Sequence, residues 1–221
     1  MTTMAAPKDI YDSFAKILLM WHRENRRDFP WRNNPEPFGV LVAEFLLQRT
    51  PAKRVASFYR DFMSRYPTPC DLAIADEETL EREFTPLGLK KRAKWLLAAS
   101  RVICDEYGGE VPEDYDELLR LPGVGEYTAS TILCFGYGHD VAIVDVNVVR
   151  VLSRVFFLNS NLHRPKSLRI VKEAAEKLIP RGKGRAFNEA LLDLAATVCK
   201  VKPLCRECPL NSFCGHFNRS K

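Results

Sequence analysis

The chain lacks any apolar run approaching the roughly 20 residues needed to cross a bilayer, and its first residues lack the basic start and apolar centre of a secretory signal. Both absences point to an intracellular protein with no membrane partner, in cytoplasm or nucleoid, or in the nucleus of a eukaryote. The 221 residues contain no low-complexity segment and no internal repeat, so neither disorder nor a solenoid is expected. A net charge of +5 agrees with a polyanionic partner and equally describes many basic proteins without one. With 46% hydrophobic and 28% charged residues, the chain can bury one good core or two small ones.

Strand signals are also scarce. Stretches such as 142–144 and 156–158 are too brief to argue for a sheet, whereas apolar residues recur at spacings of three and four through 10–21, 40–47, 55–66, 92–102, 127–135, 146–157, 168–178 and 187–198. Prolines at 30, 51, 67, 69, 86, 112, 122, 165, 180 and 203 fall between these runs and read as helix stops. The fold class is therefore all-α. The cationic stretch 182–185 is a solvated loop with no assigned role.

Of seven cysteines, Cys70, Cys104 and Cys134 are scattered through apolar helical stretches and read as small buried residues. Cys199, Cys205, Cys208 and Cys214 form the pattern C-x5-C-x2-C-x5-C. Such crowding in an intracellular protein favours a metal site over disulfides, and four thiolates so placed suit either a tetrahedral zinc or a four-iron four-sulfur cluster. Four closed ligands leave no open position, so the site reads as structural.

Leu121-Pro122-Gly123-Val124-Gly125 lies between helical patterns at 116–120 and 126–133. The glycines permit close backbone approach, and the start of the following helix offers N–H groups to a phosphate, so Gly123, Val124 and Gly125 are candidate DNA-binding residues. A tight helix–helix turn with no ligand is the bland alternative. Asp145, twenty residues after Gly125, precedes a further apolar helix, where the dipole favours negative charge. It reads as a plain cap or as a carboxylate that stabilises an oxocarbenium ion or activates water. Glu44 is a lone carboxylate in an apolar helix, paired or solvated in the simpler reading. Facing a pocket, it would suit protonation of a leaving base.

These residues together resemble the helix-hairpin-helix DNA glycosylases of the endonuclease III superfamily. The resemblance runs from Arg26-Arg27-Asp28-Phe29-Pro30-Trp31-Arg32 through the 121–125 hairpin and Val144-Asp145-Val146-Asn147 to the four cysteines. It implies a six-helix barrel domain over 28–137, and a discontinuous second domain of 1–27 and 138–221 holding a 4Fe-4S cluster, with DNA across the cleft between them. The first cysteine gap is one residue shorter than the family's usual six. Asp145 takes the place of the family's catalytic aspartate, and Tyr127 stands where bifunctional members carry a lysine. A phenol is a poor Schiff-base nucleophile, so the resemblance implies a monofunctional enzyme that uses water, with Tyr127 positioning sugar or base.

Two subfamilies share the Glu44 context, Tyr127 and the Arg-Arg-Asp-x-Pro-Trp-Arg opening. The chain ends soon after Cys214, with no room for the extra domain of adenine glycosylases. The 87–93 segment lacks their paired tyrosines, and Asp145-Val146-Asn147 departs from their Asp-Gly-Asn. Phe29 and Leu46-Leu47 also look more like the mismatch thymine enzymes, while Gln48-Arg49 lies between the two patterns. The expected function is removal of thymine or uracil opposite guanine from double-stranded DNA carrying a mismatched base, by a monomer. Gln48, Arg49 and Leu89 are candidates to fill the gap left by the extruded base. Adenine excision, or a DNA-binding module without activity, are the alternatives.

Overall fold

The computed structural model describes residues 8–48, 50–158 and 165–219. Every regular element among them is helical, and none is long and apolar enough to span a membrane. Two compact units divide the chain, one of Met1–Arg27 with Gly138–Lys221, the other of Asp28–Tyr137. The first unit opens with α1 (Lys8–Asn25). The second runs through α2 (Pro30–Asn33), α3 (Pro37–Leu47), α4 (Ala52–Arg65), α5 (Pro69–Ala73), α6 (Glu77–Phe84), α7 (Lys90–Tyr107), α8 (Tyr115–Arg120) and α9 (Glu126–Thr131). A wider turn over Ile132–Gly136 continues α9, with the Tyr137 N–H reaching back to the Ile132 carbonyl. The chain re-enters the first unit for α10 (Val146–Phe156), α11 (Pro165–Leu178), α12 (Gly184–Thr197) and α13 (Gly215–Arg219).

Several prolines that the sequence offers as stops are instead starts. Pro30, Pro69 and Pro165 are the first residues of α2, α5 and α11. The first helical position needs no N–H partner, and the fixed φ of proline already suits it. Side-chain caps begin other helices: Thr68 and Asp71 bond reciprocally at α5, Asp76 caps α6 and Asp114 caps α8.

In the second unit α3 is the buried centre, with Phe38 through Leu46 all withdrawn from water. A helix apolar on every face must be covered on every face, and α3 packs against α4, α7 and the turn that extends α9. Phe62, Leu80, Phe84, Leu96 and Ile103 complete that core. The first unit has its own core, where Phe14 and Leu18 of α1 meet Val151 and Leu152 of α10, Val171 of α11, and Phe187, Leu191 and Leu194 of α12.

The structure corrects the reading of two cysteines. Cys70 and Cys104 are half-buried and joined by a disulfide between α5 and α7, whereas Cys134 lies outside any disulfide and is fully buried. Their separation of 34 residues carries no sequence signal of pairing. The close packing of α5 on α7 is what brings the thiols together.

The end of α1 is fastened to α12 by charge. Asp193 is fully buried; its Oδ2 lies 3.1 Å from His22 Nε2 and accepts from the Arg27 N–H at 3.0 Å, while Arg27 Nε donates to Oδ1 at 2.6 Å. Arg26 Nε donates to Glu189 Oε2 at 3.0 Å. Removing one member of a buried ionic cluster strands the others. Asp193→Ala is therefore expected to lower unfolding free energy by about 3 kcal/mol, the low end of the range for a broken buried pair, because Arg27 can still reach water. Urea unfolding of variant and parent checks it; a change below about 0.5 kcal/mol would remove the cluster from the stability of this unit.

Candidate nucleic-acid and catalytic site

The hairpin is fixed from below by packing and left open above. Val124 N–H donates to the Leu121 carbonyl, and Gly123 adopts φ +76, a left-handed conformation disfavoured for side-chain-bearing residues. A Cβ there would lie 2.9 Å from both Phe45 Cε1 and Trp95 Cβ. Gly125 caps α9 with extended backbone and faces open space. The first N–H groups of a helix have no acceptor within it, so the Gly125 end of the hairpin is accessible to an anion while the Gly123 end is packed. Burial pushes the Tyr115 hydroxyl above its ordinary range, with the Glu126 carboxylate adding to the rise, and Ser130 hydrogen-bonds it across the hairpin.

Tyr127 is the second residue of α9 and is half-buried; its carbonyl accepts from Thr131 Oγ1 at 2.8 Å. Glu44 lies inside α3 at 8% exposure, which rules out the solvated-face alternative. Gln48 ends α3, and its carbonyl accepts a hydrogen bond from Arg92 Nη1 in the first turn of α7. Leu89 caps α7 and is 7% exposed. The Arg92 bond thus joins the Gln48 and Leu89 segments. Arg49 lies outside the described residues.

Asp145 belongs to the other unit, at the head of α10. Its Oδ1 accepts from the Asn147 and Val148 N–H groups at 2.8 Å each, and its Oδ2 accepts from Asn147 Nδ2 at 2.5 Å. The segment that delivers it is held by α12: Asn188 Nδ2 donates to the Val141 carbonyl, and Asn188 Oδ1 accepts from the Ile143 N–H. Asp140 accepts from the Gly182 and Gly184 N–H groups. Asn147 in turn accepts from Arg150 Nη1 at 2.9 Å, and Arg150 also donates to the carbonyls of Ala195 and Cys199. One turn on, Arg154 Nη1 lies 3.5 Å from Cys199 Sγ and bonds the Lys200 carbonyl.

All four C-terminal cysteines are free and line one cavity with Val151, Arg154 and other side chains. Burial pushes the Cys208 thiol up to about 11, and the other three cysteines add to the rise. Burial likewise raises Cys205, with Cys214 and Cys199 adding to it and Arg154 opposing. Among the described residues no three His, Cys, Asp or Glu side chains converge closely enough to hold a metal ion. Four thiols around one cavity are a donor set that fits either a tetrahedral zinc or a four-iron four-sulfur cluster.

Sequence reasoning missed Asn147, Arg150, Arg154 and Asn188. The spacing of Asn147, Arg150 and Arg154 puts them on one edge of α10, a signal that was available; Asn188 has none. The two hairpin glycines should respond oppositely to a methyl group. Gly123→Ala is expected to cost about 1–3 kcal/mol from overpacking and left-handed strain, and Gly125→Ala under about 1 kcal/mol, by chemical denaturation. Equal losses would overturn this division of the hairpin.

The chain is 38% identical over 212 residues to a thymine-DNA glycosylase of Aeropyrum pernix, covering 94% of this chain and 95% of that one. It is 37% identical over 211 residues to an adenine DNA glycosylase of Mycobacterium tuberculosis, covering 95% of this chain and 68% of that one. The solved structure of a thermostable thymine-DNA glycosylase matches with a TM-score of 0.90 at 34% identity, covering 97% of this chain and all of the other. Residues 42–181, which include Glu44, the hairpin and Asp145, match the family described as HhH-GPD superfamily base excision DNA repair protein, and the chain belongs to that superfamily.

Proposed function

We propose that this protein is a monofunctional DNA glycosylase that hydrolyses the bond joining thymine or uracil to deoxyribose where that base stands opposite guanine. The observation that carries the reading is the Asp145 carboxylate held by three N–H donors at the head of α10. Similarity along the chain to thymine- and uracil-acting enzymes supports the substrate. A mismatched base leaves the stack at lower cost than a paired one, so selection begins with extrusion. Gln48 and Leu89 fill the gap from the joined ends of α3 and α7, with Arg49 as the third candidate.

As the glycosidic bond breaks, its electron pair goes to the base and positive charge develops on the sugar. Asp145 stabilises that oxocarbenium ion and takes the proton of the water that attacks C1′, as carboxylates do in glycoside hydrolysis. Glu44 hydrogen-bonds the departing base. Tyr127 orients the sugar or the base and, having no amine, forms no Schiff base, so the strand stays intact. Cys199, Cys205, Cys208 and Cys214 would hold a 4Fe-4S cluster. Bound there, the cluster supplies four iron–sulfur bonds that tie the C-terminal loop together.

Base release from duplexes carrying T:G, U:G, A:G and A:8-oxoguanine tests the function. Release from the first two without strand cleavage or borohydride-trapped adduct is expected. Adenine release, the reading favoured by the mycobacterial relative, or no release from any duplex would overturn it. Asp145→Asn keeps a good helix cap, so α10 should survive. Turnover is expected to fall by about 10²–10³-fold or more while duplex affinity stays within a few-fold.

Purified protein should be yellow-brown with about four irons per chain. Colourless protein with stoichiometric zinc would replace the cluster with a different metal.

A further inference from the structure

Trp95 is 49% exposed, whereas Trp31 is buried and Trp21 half-buried. Nothing in the hydrolysis requires it. Its Cβ packs against the Gly123 end of the hairpin, while its side chain lines an open cavity with Thr85, Leu89, Lys90 and Lys91. Lys91 and Trp95 are four residues apart and share a face of α7. Lys90 and Lys91 are exposed and form no ion pair among the described residues, in contrast to Lys94, which pairs with Glu77 and Glu81 on α6. No acidic side chain lines the cavity.

An indole left in water beside two uncommitted cations matches a flat π-face flanked by phosphates. A base inside a duplex has both faces covered by its neighbours, so only an unpaired base can offer one. We propose that Trp95, with Lys90 and Lys91, is a stacking site for an unpaired base of single-stranded DNA. The site is separate from the hairpin's phosphate seat and from the residues assigned to hydrolysis. The inference rests on the reading of this protein as one that acts on DNA, and it extends the contact surface beyond the extruded nucleotide.

Tryptophan fluorescence of the full chain, titrated with ten-nucleotide oligo-dT, with a paired duplex of equal length and with inorganic polyphosphate, tests the proposal. Oligo-dT should quench the emission, and polyphosphate should not. Trp95→Phe should abolish the quench while keeping oligo-dT affinity, measured by anisotropy of a labelled strand, within a few-fold. Trp95→Ala should weaken that affinity on the order of 10-fold and leave duplex affinity within about 2-fold. Lys90→Gln with Lys91→Gln should reduce the log–log salt slope for oligo-dT by about 1.4. Circular dichroism confirms that each variant is folded.

Quenching by polyphosphate equal to that by oligo-dT, or unchanged oligo-dT affinity in folded Trp95→Ala, would overturn the stacking site. Failure of base release with the quench intact would sink the glycosylase reading and leave this one standing; the converse result would do the opposite.

Discussion

The guanidinium of Arg150 uses its three nitrogens to join two pieces of chain, bonding Asn147 Oδ1 on its own helix and the Ala195 and Cys199 carbonyls around the end of α12. Through Asn147 it sets the carboxylate of Asp145, and through Cys199 it sets the entrance to the cysteine loop. Arginine suits this post because its planar fork carries five donors and keeps its charge at any pH a protein meets. Lysine carries its three N–H donors on a single atom, so it could not span acceptors placed around three separate nitrogens. Helix α10 is therefore a spine, with the Asp145 carboxylate at its head and the cysteines gathered along its flank.

Helix α12 provides the counterpart through polar side chains turned inward. Asn188 clamps the extended segment before Asp145, while Glu189 and Asp193 hold Arg26 and Arg27 at the end of α1. Asn188, Glu189 and Asp193 each meet a matched partner, the condition under which such groups specify one arrangement instead of weakening the core. Two chain segments far apart in sequence are placed by one helix face.

Legibility in the sequence followed physical range. The long helices announced themselves through apolar spacing: α1, α3, α4, α7, α10, α11 and α12 fall on the expected runs within a few residues. The short α2, α5 and α6 did not, because four to eight residues offer too few apolar positions to establish a period, and the prolines that start α2 and α5 look like stops. Asp145 and the hairpin were visible because capping and turn chemistry are local. Burial of Glu44 was not, since it depends on α4, α7 and the α9 extension covering α3. The partners of Asp193, like those of Cys70, lie across tens to hundreds of residues. No window of sequence contains them.

The bond between Cys70 and Cys104 closes a ring of chain that contains α6, the turn at Gly88, Leu89 and the first part of α7. In the chain-entropy picture a ring of this size narrows the unfolded ensemble by about 4 kcal/mol, whatever its folded contacts. A surrounding that reduces thiols opens the ring and returns that freedom to the unfolded state, leaving the native packing of α5 on α7 as it was. The margin by which this unit stays folded is thus tied to the redox poise of its compartment.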